Sequence, residues 1–367
     1  MAESDLNSSD AGRNGAPLFD DEAHEYDAVL VVSFGGPEGP DDVMPFLDNV
    51  FRGLRVTDKT KHAIAQRYLD YGGVSPINGH VRRFIEALRK NLGEHGPALP
   101  IYWGNRNWHP LLGDTLERMS RDGVRRAIAY VTSNFASYSG CRKYREDLFE
   151  AGRRLERPPV IDKLRLGFNH PGFIEAATDC VREALSCIEA ERRDATTLLF
   201  TAHSLPESMA RHAAYEAQLR EACRLVGDAL EHQRWQLVYQ SNNARYGGEP
   251  WLGPDISEAL AEQKAEGAND VVVAPIGFVC DHMEVVYDLD VVAARAAERL
   301  GLDMIRAGTV GAHPAYVGMV RDLIVERMSA DPMRRALGTL GPSHDFCPAD
   351  CCLSGRPGAS KPALCGR

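Results

Sequence analysis

The chain has no apolar run of ~18 residues, the length a membrane-spanning helix needs. Its first stretch, Met1–Glu25, is acidic and polar and contains no hydrophobic signal region. Positive charge is scarce: 42 Lys and Arg stand against 52 Asp and Glu, a formal net charge of −10. That balance argues against a general binder of nucleic acid or membrane surfaces. Gly35-Gly36, after the first apolar run, has the spacing of neither a dinucleotide fingerprint nor a P-loop, so no phosphate cradle is expected there. With no export signal seen, the nine cysteines are expected in a reducing cytosol, as reduced core residues or metal ligands rather than disulfides.

The 367 residues, 44% hydrophobic and 26% charged, have the composition of a soluble globular protein with room for two domains. Residues 1–25 read as a disordered leader. From Tyr26 onward, short apolar runs alternate with amphipathic stretches. Strands are predicted at 28–33, 100–104, 126–131, 197–200, 235–239, 270–274 and 304–306. Helices are predicted at 57–71, 81–92, 111–122, 141–150, 173–191, 205–230, 255–266, 284–300 and 313–329. The alternation predicts an α/β fold of parallel sheets flanked by helices. Pro110-Leu111-Leu112-Gly113 and Pro250-Trp251-Leu252-Gly253, each followed by a helix, a glycine and an apolar strand, mark an internal repeat. Two similar Rossmann-like halves, 26–157 and 158–342, are therefore expected around a shared cleft, with a cysteine-rich tail at 343–367.

Two stretches concentrate the chemistry. His203 ends an apolar strand and precedes a helix start, with Ser204 as N-cap, Pro206 in the first turn and Glu207 at the capping-box position. The helix dipole there disfavours imidazolium, so His203 is expected neutral. In Ala274–Asp290, Asp281 is placed to cap a helix with Glu284 three residues on, and Asp281, Glu284 and Asp288 fall on one helical face. Taken singly, a strand-end histidine, a capping glutamate and a solvated face explain these residues as well. The repeat sets Arg142, Lys143 and Arg145 on the opposite lip, which suits a ligand that is anionic at one end and meets a cation at the other; the plainer reading is a solvated helix face.

His203-Ser204-Leu205-Pro206 and the pattern Gly-Phe-Val-x-Asp-His-x-Glu-x-x-Tyr-Asp-Leu-Asp at Gly277–Asp290 together resemble the ferrochelatase family. Further family-like blocks are Ser33–Pro37, Gly72–Ile77, Gly104–Trp108 and Pro250–Pro254, and the likeness runs from Tyr26 to about Pro342. The resemblance implies two chelatase-type domains and insertion of Fe²⁺ into a porphyrin in haem biosynthesis. It implies His203 and Glu284 as the catalytic pair and iron ligands. Both groups accept protons and both suit Fe²⁺. Asp288 would continue the acidic iron path, with His282 assisting. Ser75 and Tyr144 are implied as porphyrin contacts, with Arg67 and Tyr68 nearby and Arg52 as a displaced family arginine. Phe34 stands where many bacterial relatives carry a tyrosine, so it can pack on the ring but not ligate.

The segments Ser33–Asp48 and Ser137–Asp147 look most like the actinobacterial type, which metallates coproporphyrin III; a protoporphyrin IX enzyme is the alternative. A cobalt or sirohydrochlorin chelatase and a non-enzymatic tetrapyrrole sensor are the competing classes. In the tail, Cys347, Cys351, Cys352 and Cys365 match neither zinc-ribbon nor ferredoxin spacing, so composition leaves zinc and iron–sulfur both open. The resemblance favours a [2Fe-2S] cluster held by Cys347, Cys351 and Cys352, with Cys180 or Cys365 as the fourth ligand. Cys223 and Cys280 read as core. The expected partners are porphyrin and Fe²⁺, in the cytoplasm, with no nucleic acid; monomer and homodimer are both compatible.

Overall fold

The apolar runs become strands because both faces of each are covered. In a computed structural model, which describes residues 18–244, 248–356, 358 and 361–364, every residue of Ala28–Ser33 (β1) and Asp270–Ala274 (β7) is buried. β1 pairs in parallel with Ile101–Asn105 (β2) and Arg126–Val131 (β3), and β3 with Val160–Lys163 (β4). The second sheet repeats this pattern around Thr197–His203 (β5), flanked by Trp235–Gln240 (β6) and β7, with Asp303–Arg306 (β8) outside β7. The strand orders, β2-β1-β3-β4 and β6-β5-β7-β8, are the same, so the repeat seen in sequence is a structural one.

The expected boundary at 157/158 cuts inside the first sheet. Val160–Lys163 is its edge strand, with Arg126 paired to Val160, and its short half-polar sequence gave no strand signal. The single helix expected at 205–230 is broken into Glu207–Ala210 and Tyr215–Ala229. The helix expected at 57–71 is Asp58–Leu69, whose N-cap Thr57 accepts from the Thr60 amide.

The halves share one core. Val29 and Ile128 from the first sheet, Leu198 and Val272 from the second, and Tyr316 between them belong to one continuous buried cluster. The helices Pro171–Ser186 and Pro314–Met328 are locked reciprocally. His170 and His313 cap their own helices and face Asp322 (3.8 Å) and Asp179 (3.3 Å) on the other. The first described residues are tied to the C-terminal region: the amides of Asp345 and Phe346 donate to the Leu18 carbonyl, and Arg327 pairs with Asp20 at 2.8 Å. The last residues of the expected leader are therefore fixed against the tail; the rest of it lies outside the described residues. Among the described residues no helix is long and apolar enough to cross a membrane.

Candidate active site and thiol cluster

β5 carries His203 to the carboxyl edge of the second sheet, opposite Gln240. Ser204 does not cap the next helix, contrary to expectation. Its amide donates to Gln240 O (2.8 Å) and its hydroxyl to Leu252 O (2.7 Å), and the helix begins only at Glu207. The His203 ring is anchored through Nδ1 at the Ser204 carbonyl, which puts a proton on Nδ1, so that in the neutral ring the lone pair sits on Nε2. Nε2 faces Glu284 Oε2 at 3.7 Å, with the side chains 31% and 55% exposed, so the pair is open to the cleft. Gly277 lets the loop after β7 close on this edge: a Cβ there would lie 2.7 Å from the Ala202 Cα.

Glu284 and Asp288 belong to one helical stretch, Met283–Leu300, whose central part, Val286–Ala293, is a π-helix. Asp281 does not stay on the face predicted with Glu284 and Asp288. Asp281 is not a cap, since the N-cap position falls on His282, which makes no side-chain capping bond. Asp281 turns instead to Arg306 at 2.9 Å. Ser241 donates to Asp288, whose carboxyl is nevertheless raised, first by burial and also by the Glu284 charge. Burial pushes His282 down, keeping its imidazole neutral against the Phe278 ring, 5.1 Å away.

The first half supplies an aromatic wall. Phe46 packs edge-on with Phe34 (6.2 Å), Tyr68 (5.7 Å) and Trp108 (6.4 Å). The Tyr68 phenol is raised, mainly by burial and next by Glu284, so Tyr68 borders the carboxylate. Arg67 lies 4.6 Å over the Tyr287 ring of the π-helix, so the two halves meet across the cleft. Ser75 is buried against Gly36, where any Cβ would strike it. Tyr144 is buried beneath Arg106, whose guanidinium sits 4.7 Å over its ring, 5.7 Å from the Phe34 ring and 2.6 Å from Asp147. Sequence reasoning did not single out Arg106; its position inside the Gly104–Trp108 block was the only signal. Arg52 is exposed and bonds Asn49.

The basic lip is not a ligand surface. Arg142 donates to the carbonyls of Ala349 (2.6 Å), Cys351 (3.2 Å) and Lys361 (3.0 Å), and Arg145 to those of Leu364 (3.0 Å) and Cys351 (3.2 Å). Both arginines are buried and hold the tail, while Lys143 pairs with Asp147.

The tail thiols meet a residue that was read only as a helix start. Cys141 contacts Cys347 and Cys352, and Cys351 contacts the same two, so the four sulfurs close a ring. Cys351 Sγ lies 3.4 Å from Cys352 Sγ and 3.8 Å from His344 Nε2. Thiol–thiol contacts push Cys141 and Cys351 down and Cys347 and Cys352 up, and the charges of Lys163 and Arg145 lower Cys141 further. Cys180 does not join them. It lines a separate small cavity with Val181, Phe200 and Ile276, and burial raises its thiol to about 11. The alternative, Cys365, lies outside the described residues. Cys223 and Cys280 are core residues, as expected. Cys141 is the sole cysteine before Cys180, an available signal that was not used.

Paired parallel sheets of the same strand order, with His203 and Glu284 facing a cleft at the carboxyl edge of the second, define a chelatase-type fold. SirB from Bacillus subtilis, solved with Fe³⁺, superposes with a TM-score of 0.50 at 13% identity, covering 82% of this chain and 96% of that one. A multi-domain Deinococcus radiodurans protein described as similar to chelatases also gives 0.50 at 16% identity, covering 88% of this chain and 58% of that longer one. The family profile described as ferrochelatase matches residues 26–328, and the chain belongs to the ferrochelatase family. It is 50% identical over 330 residues to a ferrochelatase of Rhodopirellula baltica, covering 89% of this chain and 93% of that one. It is 48% identical to the coproporphyrin III ferrochelatase of Streptomyces coelicolor, covering 94% and 97%, and 47% identical to that of Streptomyces griseus, covering 93% and 96%.

Proposed function

We propose that this protein inserts Fe²⁺ into coproporphyrin III, giving Fe-coproporphyrin III for haem synthesis in the cytoplasm. The carrying observation is the open pair of His203 Nε2 and Glu284 Oε2, 3.7 Å apart. Metallation removes two pyrrole protons and delivers a dication. The free Nε2 lone pair takes a proton, and the Glu284 carboxylate accepts a proton or holds the incoming Fe²⁺. Asp288, set near Glu284 and bonded by Ser241, continues the path by which iron arrives or protons leave. Phe34 and Tyr68 form the wall that packs on the macrocycle. Ser75, Tyr144 and Arg67 are the donors assigned to its propionates, with Arg106 orienting Tyr144.

Cys141, Cys347, Cys351 and Cys352 fit a [2Fe-2S] cluster: four thiols in a closed ring, with the cationic side chains of Lys163 and Arg145 beside it. Such a cluster supplies a one-electron centre and a cross-link between the tail and the Cys141 helix.

Coproporphyrin III carries four propionates and protoporphyrin IX two. Hydrogen bonds to a charged group contribute about 1.5–3 kcal/mol each, so one extra satisfied propionate exceeds the ~1.4 kcal/mol that a tenfold preference requires. An anaerobic Fe²⁺ insertion assay with both porphyrins in matched detergent tests this. Expected is at least a ~10-fold higher kcat/KM for coproporphyrin III, and Tyr144→Phe and Ser75→Ala should each erode it. Equal or better use of protoporphyrin IX overturns the substrate assignment, and porphyrin binding without insertion overturns the enzyme.

A further inference from the structure

We infer that Arg306 is a positioning residue that latches the π-helix carrying Glu284 and Asp288. The inference deepens the iron-insertion reading above and rests on it. Arg306 is the last residue of β8 and lies beside Val273 of β7. Its guanidinium grips Asp281 with two nitrogens, Nη2 to Oδ2 at 2.9 Å and Nη1 to Oδ1 at 3.2 Å. Its Nε holds Asp290 Oδ1 at 2.6 Å. Asp281 ends the loop out of β7, and Asp290 lies within the π-helix Val286–Ala293. The two gripped residues therefore bracket Glu284 and Asp288 in sequence.

A π-helix is less favourable than the α-helix it interrupts and persists where surrounding contacts hold it. Here the contact is a planar fork with all three of its nitrogens engaged. The side chains of Arg306, Asp281 and Asp290 are 20%, 16% and 35% exposed, so the network is partly shielded from water. Lysine has a single nitrogen and cannot reproduce the bidentate grip on Asp281 together with the bond to Asp290. Releasing Asp290 frees the wide turn to tighten. Because side-chain direction follows helical pitch, that shift re-aims Glu284 and Asp288 relative to His203. Arg306 touches neither porphyrin nor iron in this account; it acts through the placement of Glu284.

The test compares the parent with Arg306→Gln, Arg306→Lys and Asp290→Asn, each confirmed as folded by circular dichroism and melting. Asp290→Asn leaves the Asp281 pair in place and guards against a variant that fails to fold. Co²⁺, a spectroscopic stand-in for Fe²⁺, is titrated without porphyrin, porphyrin binding is read by fluorescence quenching, and Fe²⁺ insertion is followed anaerobically. In Arg306→Gln, Co²⁺ affinity and kcat should fall by about 10–100-fold, the range for an ångström-scale misplacement of a reacting group. Porphyrin affinity should stay within about twofold. Arg306→Lys and Asp290→Asn should fall between it and the parent. Arg306→Gln combined with Glu284→Gln should be no slower than Glu284→Gln alone, because both remove the same function. Parent-like Co²⁺ affinity and turnover in folded Arg306→Gln overturn the latch, as do a parallel loss of porphyrin affinity and strict additivity with Glu284→Gln. A parent that neither binds Co²⁺ at this pair nor inserts iron overturns the functional reading and the latch together. An active parent with unaffected variants removes the latch alone.

Discussion

Glu284→Gln separates the proposed catalytic role from architecture, because the costs expected for the two are very different. The Glu284 side chain is 55% exposed and faces His203 at 3.7 Å, and no capping box forms at the helix start on His282. An exposed pair of this kind contributes at most about 1 kcal/mol to folding. The melting temperature should therefore move by no more than ~2–4 °C. Removing a proton acceptor from the reacting centre should slow insertion by ~10²–10⁴-fold, or ~2.7–5.5 kcal/mol of barrier. The assay is single-turnover Fe²⁺ insertion at saturating porphyrin, without oxygen, beside a thermal melt of the same sample. Porphyrin affinity should be nearly unchanged. A folded Gln variant inserting iron within about threefold of the parent would refute the catalytic assignment. A melt lowered by tens of degrees would show that Glu284 carries structure that its exposed position does not suggest.

The thiol ring predicts that anaerobically purified protein is brown, and that Cys141→Ser and Cys347→Ser lose both colour and bound iron; Cys180→Ser and Cys365→Ser should keep them. Bound zinc with no visible absorbance would remove the iron–sulfur assignment and spare the enzyme. Asp288 is raised from its ordinary value, mainly by burial, so the folded chain holds its proton more tightly than the unfolded one. Its ionisation then lowers stability as pH rises through that window. Asp288→Asn should accordingly raise the melting temperature near neutral pH, with the gain vanishing in acid where the parent carboxyl is protonated in both states; melts from acid to neutral pH check the sign.

Regular elements were readable where a single chain segment determines them. β3 and β7 coincide with their apolar runs because strands covered on both faces are written as continuous hydrophobic stretches. Motif chemistry was readable for the same reason: His203 and Glu284 lie in local signatures, and the structure brings the two together. Val160–Lys163 was missed because its four residues, two of them the charged Asp162 and Lys163, are too short and too polar to show an apolar run. The caps expected of Ser204 and Asp281 failed because longer-range partners, Leu252 and Arg306, took their side chains.

Periodicity and residue type are local properties, so the parallel α/β repeat was legible in the sequence, as were the residue types proposed above to move protons and iron. Tertiary structure alone decided which way the charged and sulfur-bearing side chains face. Arg142 and Arg145 carry the charge of a ligand-binding lip, yet they are buried on tail carbonyls more than 200 residues away in sequence. Cys141 joins Cys347 and Cys352 through the same docking. The direction of a side chain at a helix start is set by whatever packs against it, and here that is the far end of the chain.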